Sequence, residues 1–192
     1  YSTIAAALGS LKGHLHGGAN LQVIEMIKDI KKNVKDWNNK KEISAYLKKI
    51  LKGEAGDGSG KIYGIGHAIY TLSDPRAVLL KQKARELAEE KDKVNEFQLY
   101  DNIERLAPEV LTGFKNGNNK PVSANVDFYS GFVYQCIDIP MELYTPIFAI
   151  SRIAGWCAHR IEEITFSSRR IIRPAYKNVY GQKNYIKIDD RK

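Results

Sequence analysis

Three short turns in this 192-residue chain hold the residue types that acid–base chemistry beside a carbonyl requires. They are Gly13-His14-Leu15-His16-Gly17-Gly18-Ala19-Asn20, Gly64-Ile65-Gly66-His67, and Asn125-Val126-Asp127-Phe128-Tyr129-Ser130-Gly131. A carboxylate such as Asp127 can take a proton from carbon, while neutral imidazoles such as His16 and His67 donate hydrogen bonds to developing oxyanions. His16 falls just ahead of a helix predicted from about Ala19, where the positive end of the helix dipole disfavours imidazolium. The plainer reading is a turn residue beside Gly-Gly, and His14 reads as structural or surface. His67 follows glycines whose missing side chains let a ligand approach the backbone. Amides there can read an adenine edge or bind phosphate, although the spacing of a dinucleotide fingerprint is absent. Asp127, in the first turn of a predicted helix, equally suits a carboxylate that complements the helix dipole. Arg76, Arg152 and Arg173 are the guanidinium groups of interest. Arg152 interrupts an apolar helical run and needs a partner, either a substrate carboxylate held bidentately or an internal Asp or Glu.

The elements that must position these residues read as helices. Ser2 to Leu11 is Ala-rich and ends near Gly13. Val23, Met26, Ile27, Ile30 and Val34 form one apolar stripe at helical spacing, and Ile43, Tyr46, Leu47, Ile50 and Leu51 form another that Gly53 stops. Residues 53–66 contain six glycines and read as a loop with freedom to move. Asp74-Pro75 supplies an N-cap and a first-turn proline for a helix to about Glu90. A helix is expected over Val94 to Leu106, another restarting at Pro108 and ending near Gly113, then a turn at 117–121. Helices follow at roughly 124–136 and 140–164, the second kinked or restarted at Pro146. From Ser167 the chain is basic and tyrosine-rich, irregular with a short strand possible at Tyr185–Ile188. The expected fold is all-α.

Composition narrows the classes. A net charge of +8 favours an anionic partner: nucleic acid, an anionic membrane, or a small polyanion such as a coenzyme or polycarboxylate. The lysines (Lys28, Lys31, Lys32, Lys48, Lys49) are spread along helix faces, which reads as solvated surface. Cys136 and Cys157 stand apart in apolar surroundings, pointing to buried, structural thiols in a reducing compartment and so to a cytoplasmic protein. The run from Leu143 to Ala158 carries Arg152 and is too short to span a bilayer, so no membrane partner is expected, and the lack of CxxC or Cys/His spacing leaves no metal site expected. The chain opens at Tyr1, inside a helix and without methionine, as part of a longer protein would.

Taken in order, Gly13-x-Leu15-His16-Gly17-Gly18-Ala19-Asn20, Gly64-x-Gly66-His67-Ala68 with Asp74-Pro75-Arg76, Asn125-Val126-Asp127 with Ser130-Gly131, and Ser151-Arg152 closely resemble the C-terminal half of the citrate synthase family. The resemblance covers nearly the whole chain. It implies an all-α homodimer whose large and small domains close over the substrates, with 1–16 and 139–192 in the large domain and 17–138 as the small one. It also implies roles. Asp127 would remove a methyl proton from acetyl-CoA, and His16 would hydrogen-bond the thioester carbonyl. His67 would polarise the keto oxygen of oxaloacetate, and Arg76 and Arg152 would hold its carboxylates. Arg173, in Ile172-Arg173-Pro174, would reach across the dimer. Phe148 would pack near the substrate, and Ile62, Tyr63, Gly64, Ile65 and Gly66 would lie along the adenine of CoA. CoA enters as a co-substrate, with no permanently bound cofactor. The rest of the large domain, with a further substrate-binding histidine and much of the dimer interface, would come from residues before Tyr1, so the isolated chain is expected to be poorly active or inactive.

Three other readings stand beside this one. A 2-methylcitrate synthase using propionyl-CoA would share the triad and differ by room for one methylene, worth about 1–3 kcal/mol of discrimination. A basic helical nucleic-acid-binding module explains the charge but leaves the three separated motifs without a purpose. A regulatory or scaffolding fragment would keep the fold and lose the activity.

Overall fold

In the computed structural model, residues 1–13, 17–114, 121–166, 175, 177, 179, 181 and 183–191 are described. Seven α-helices appear among them: α1 (Ser2–Leu11), α2 (Ala19–Asn33), α3 (Lys40–Leu51), α4 (Pro75–Glu90), α5 (Val94–Phe114), α6 (Val126–Cys136) and α7 (Tyr144–Thr165). No strand forms among the described residues, and a single antiparallel bridge joins Ile65 to Ala124. The all-α expectation is met.

The sequence explains most of the boundaries. Gly18 starts α2 in the left-handed region (φ 68°), a conformation that costs glycine nothing. The Asn39 side chain caps α3 by accepting from the Lys41 and Glu42 amides. Asp74 caps α4, with Pro75 in its first turn. The Asn125 side chain accepts from the Asp127 amide and starts α6.

Three expectations need correction. Helix α5 does not break at Pro108 but runs through it to Phe114. Proline there deletes one N–H and crowds the Glu104 carbonyl at a cost of about 3 kcal/mol. Ala107 and Val110, both buried, hold the helix together on either side. Helix α7 does not restart at Pro146, which sits in its first turn, where a missing N–H is harmless. No strand forms at Tyr185–Ile188. Residues 183–187 are irregular, a 3-10 turn follows at Ile188–Asp190, and the described residues offer no strand to pair with.

The core lies between α2 and α6. The α2 stripe Val23, Met26, Ile27 and Ile30 is buried, as are Ile43, Leu47, Ile50 and Leu51 of α3. Against them stands an aromatic cluster from α5 and α6, in which the Tyr100 ring lies 5.5 Å from Phe128 and 5.1 Å from Phe132. Helix α6 approaches α2 closely: a Cβ on Gly131 would sit 2.8 Å from Ile24 Cδ1. Helix α1 packs against α7 instead, and both are largely exposed. Cys136 is buried as expected, but Cys157 on α7 is exposed. Its apolar neighbours Ile153 and Ile161 are exposed with it, because no described element covers that face.

Candidate functional site

The first helical turns of α4 and α6 carry Arg76 and Asp127, and His67 lies on the segment that joins Tyr63 to Asp74. Gly64 to Gly66 is clamped to the strand-like residues before α6. Gly66 N–H donates to the Ser123 carbonyl at 2.7 Å and Asn125 N–H to the Gly64 carbonyl at 2.9 Å. Asn125 Nδ2 donates to the Gly66 carbonyl at 2.8 Å. Glycine is required at 64: φ is +79°, and an added Cβ would meet Phe128 Cα at 2.9 Å. The loop expected to be free to move is also tied down further back. Tyr63 donates to Asp57 at 2.5 Å and the Gly56 amide to Asp29 at 3.1 Å.

His67 is fixed by its own turn. The amides of Ile69 and Tyr70 donate to its Nδ1 at 3.0 and 3.1 Å. A ring nitrogen that accepts carries no proton, so the neutral imidazole keeps its hydrogen on Nε2 and presents a donor outward. This is the form an oxyanion or a polarised keto oxygen needs.

Arg76 is held by Asp74. Its Nε donates to Asp74 Oδ1 at 3.0 Å and its Nη2 to Oδ2 at 2.8 Å, while the Arg76 amide takes the N-cap bond to Oδ1. The Asp74 side chain is fully buried and that of Arg76 is 44% exposed. The hydrogen bonds from Arg76 hold the Asp74 carboxyl below its ordinary range, and Asp74 in turn raises the guanidinium. With the Nε–Nη2 edge occupied, Nη1 remains for a ligand carboxylate.

Asp127 is half-buried, and burial pushes its pKa up, with the positive field of Arg76 opposing the rise and Asp74 adding to it. Asp127, Arg76, His67 and Asp74 therefore share one electrostatic neighbourhood. A carboxylate whose pKa is raised by burial is a base of greater strength than a solvent-exposed Asp.

Two cavities flank the 61–66 segment. One, of about 370 Å³, is lined by Asp127 and Phe148 with Leu11, Asn20 and Thr145. The other, of about 580 Å³, is lined by Ile62 to Gly66, His67, Leu111 and Val122. Ala19, Lys61 and Tyr63 line both. His16 and Arg173 lie outside the described residues, as do His14 and most of the turn at 117–121.

Arg152 departs from expectation. It is exposed, makes no ion pair among the described residues, and stacks on Phe148 with its guanidinium carbon 5.8 Å from the ring centroid. The apolar run around it is not a buried helix here, so no desolvation forces a carboxylate partner. Three other contributors escaped the sequence reading of the site: Lys61, which borders both cavities; Asp74, read only as a cap; and Tyr70. The i,i+2 spacing of Asp74 and Arg76 is the signal that identifies the clamp.

Among the described residues no group of three or more His, Cys, Asp or Glu side chains could hold a metal ion. No helix there is long and apolar enough to cross a membrane.

A family model described as the citrate synthase C-terminal domain matches residues 1–175. The chain is 36% identical over 174 residues to the citrate synthase of Synechocystis sp., covering 91% of this chain and 39% of that one. It is 37% identical over 193 residues to the citrate synthase of Deinococcus radiodurans, covering 100% and 46%. The crystal structure of citrate synthase from Thermotoga maritima superposes with a TM-score of 0.66 at 33% identity, over 98% of this chain and 46% of that chain. A ternary complex of carboxymethyl coenzyme A and oxaloacetate with the Thermoplasma acidophilum citrate synthase also gives 0.66, at 32% identity over 98% and 46%. The chain thus spans less than half the length of these relatives.

Proposed function

The chain belongs to the citrate synthase family, and on that premise we propose that the protein carrying it condenses acetyl-CoA with oxaloacetate and water to give citrate and CoA. The observation that carries this reading is the shared neighbourhood of Asp127, His67 and Arg76, a raised carboxylate beside an Nε2–H donor and a clamped guanidinium. In it, Asp127 takes a proton from the acetyl methyl. His16 hydrogen-bonds the thioester oxygen as the enol or enolate forms. His67 donates to the keto oxygen of oxaloacetate and polarises the carbon that is attacked. Arg76, Arg152 and Arg173 hold carboxylates, and Phe148 packs beside the substrate. The new carbon–carbon bond gives citryl-CoA, and water then cleaves its thioester. CoA is a co-substrate rather than a resident group, with its adenine along Ile62, Tyr63, Gly64, Ile65 and Gly66, a stretch that borders the larger cavity.

The association of α1 with α7, apart from the core built by α2 to α6, supports assigning 1–16 and 139–192 to a large domain and 17–138 to a small one. Closure of one over the other would exclude water from the enolate. The exposed apolar residues of α7 (Ile150, Ile153, Ile161, Ile164) fit a homodimer and the remainder of a large domain. Two free cysteines, Cys136 and Cys157, fit a cytoplasmic enzyme. Relatives named as citrate synthases favour acetyl-CoA over the propionyl-CoA alternative, and nothing in them favours a nucleic-acid-binding module. Release of CoA thiol by the full-length protein, dependent on both oxaloacetate and acetyl-CoA, tests the reading; release with propionyl-CoA alone would overturn the substrate assignment.

A further inference from the structure

Between His67 and Arg76 stands one ring that touches both. The Tyr70 ring lies 4.9 Å from the His67 ring, centroid to centroid, at an interplanar angle of 38°. The guanidinium carbon of Arg76 lies 5.4 Å from the Tyr70 centroid. The backbone of the same residue is engaged at both ends. Its N–H donates to His67 Nδ1 at 3.1 Å, and its carbonyl accepts from Ser123 Oγ at 3.4 Å, in the segment that leads into α6 and Asp127. The Tyr70 hydroxyl makes no hydrogen bond among the described residues, so the ring is the working part.

We propose that Tyr70 is a positioning residue that fixes the spacing and tilt of the His67 imidazole relative to the Arg76 guanidinium, and so aligns a keto oxygen with the carboxylate next to it. The proposal rests on the substrate reading given above. Its physical content is a division of labour. Asp74 holds the guanidinium in its own plane through the Nε–Nη2 edge but leaves rotation about that edge open. The Tyr70 face restrains the remaining freedom, since a cation is attracted to the ring face and aromatic rings pack with defined offsets. Arg76 needs this restraint because its side chain is 44% exposed. In a 2-keto acid the carbonyl and its neighbouring carboxylate have a fixed short separation, and a misplacement of about 1 Å in such a pair costs roughly a hundredfold in rate.

The test is steady-state kinetics of the full-length protein, with oxaloacetate and acetyl-CoA varied separately, for wild type, Tyr70→Phe and Tyr70→Leu. Tyr70→Phe keeps the ring and should stay within about twofold of wild type. Tyr70→Leu removes it and should raise KM for oxaloacetate by about tenfold or more and lower kcat, with KM for acetyl-CoA within about twofold of wild type. Equal losses in the two variants overturn the role of the ring, and this outcome is readable from Tyr70→Phe even where the leucine variant folds poorly. An unchanged KM for oxaloacetate in Tyr70→Leu overturns the positioning role while the substrate reading survives. Wild-type protein that releases no CoA thiol overturns that reading, and with it the proposal.

Discussion

In its proposed role as base, Asp127 faces two opposing demands. A base must be ionised to work, yet burial raises the pKa of this carboxyl above its ordinary 3.8. Two consequences carry opposite signs. For catalysis, the acid limb of the kcat profile should fall at a pH above the ordinary carboxylate value, because protonation silences the base. For stability, a folded-state pKa above the unfolded one means that the contribution is fully present below the unfolded pKa and is lost as pH rises through the folded one. Asp127→Asn should therefore raise the thermal midpoint at neutral pH and give no gain in acid, as thermal scans across pH would show. In the full-length protein the same variant should abolish proton exchange at the acetyl-CoA methyl and leave oxaloacetate binding largely intact. Lost binding with retained exchange would refute the assigned role. Asp74 runs the other way. Its pKa is depressed by Arg76, so its contribution is present above the unfolded value and disappears as pH falls through the depressed folded one. Asp74→Ala should cost about 1–2 kcal/mol at neutral pH through the lost cap and clamp, measured by urea denaturation, and markedly less in strong acid.

At the level of elements, the site depends on one close approach. The Gly64 segment lies directly against the first turn of α6. Gly64→Ala combines a Cβ clash with a left-handed backbone and should cost about 2–4 kcal/mol in chemical denaturation, displacing the 62–66 segment from the first turn of α6. A second tie lies deeper. Tyr129 on α6 donates to Glu104 on α5 at 2.6 Å, and Lys81 on α4 pairs with Glu104 at 2.5 Å and Asp101 at 2.6 Å. This network joins the three helices behind the site. Tyr129→Phe should cost about 1–3 kcal/mol, because it leaves the partly buried Glu104 short of a donor. Much of this level was legible from residue pattern: the stripes of α2 and α3, the Asp74 cap, and the glycine-marked turn at 64–66. Pro108 and Pro146 were not. Whether a proline breaks a helix depends on its position in the turn and on what buries the residues around it, and neither is local.

For the molecule as a whole, the exposed apolar surface is unevenly spread. Helices α2 to α6 bury their stripes in one core, whereas α7 leaves Ile150, Ile153, Ile161 and Ile164 open, and an apolar crevice of about 750 Å³ lies between α1 and α7. Phe148, which lines the smaller cavity, sits on this same helix, so that wall is supported from one direction only. The 192-residue chain alone should therefore release little or no CoA thiol, while a longer chain that covers α1 and α7 should be active. Full activity of the isolated chain in a thiol-release assay would sink this expectation.

Residue order by itself determined the all-α fold, the helix periodicities and the set of chemical groups, because caps, glycines and apolar spacing act within a few residues and the ordered motifs identify the family. Tertiary structure alone decided which groups meet. Asp74 is a guanidinium clamp as well as a cap, Tyr70 stands between His67 and Arg76, and Arg152 and Cys157 are exposed on a helix whose composition reads as buried. The reason is that burial and contact depend on what covers a face. That is a property of distant parts of the chain, and no local spacing encodes it.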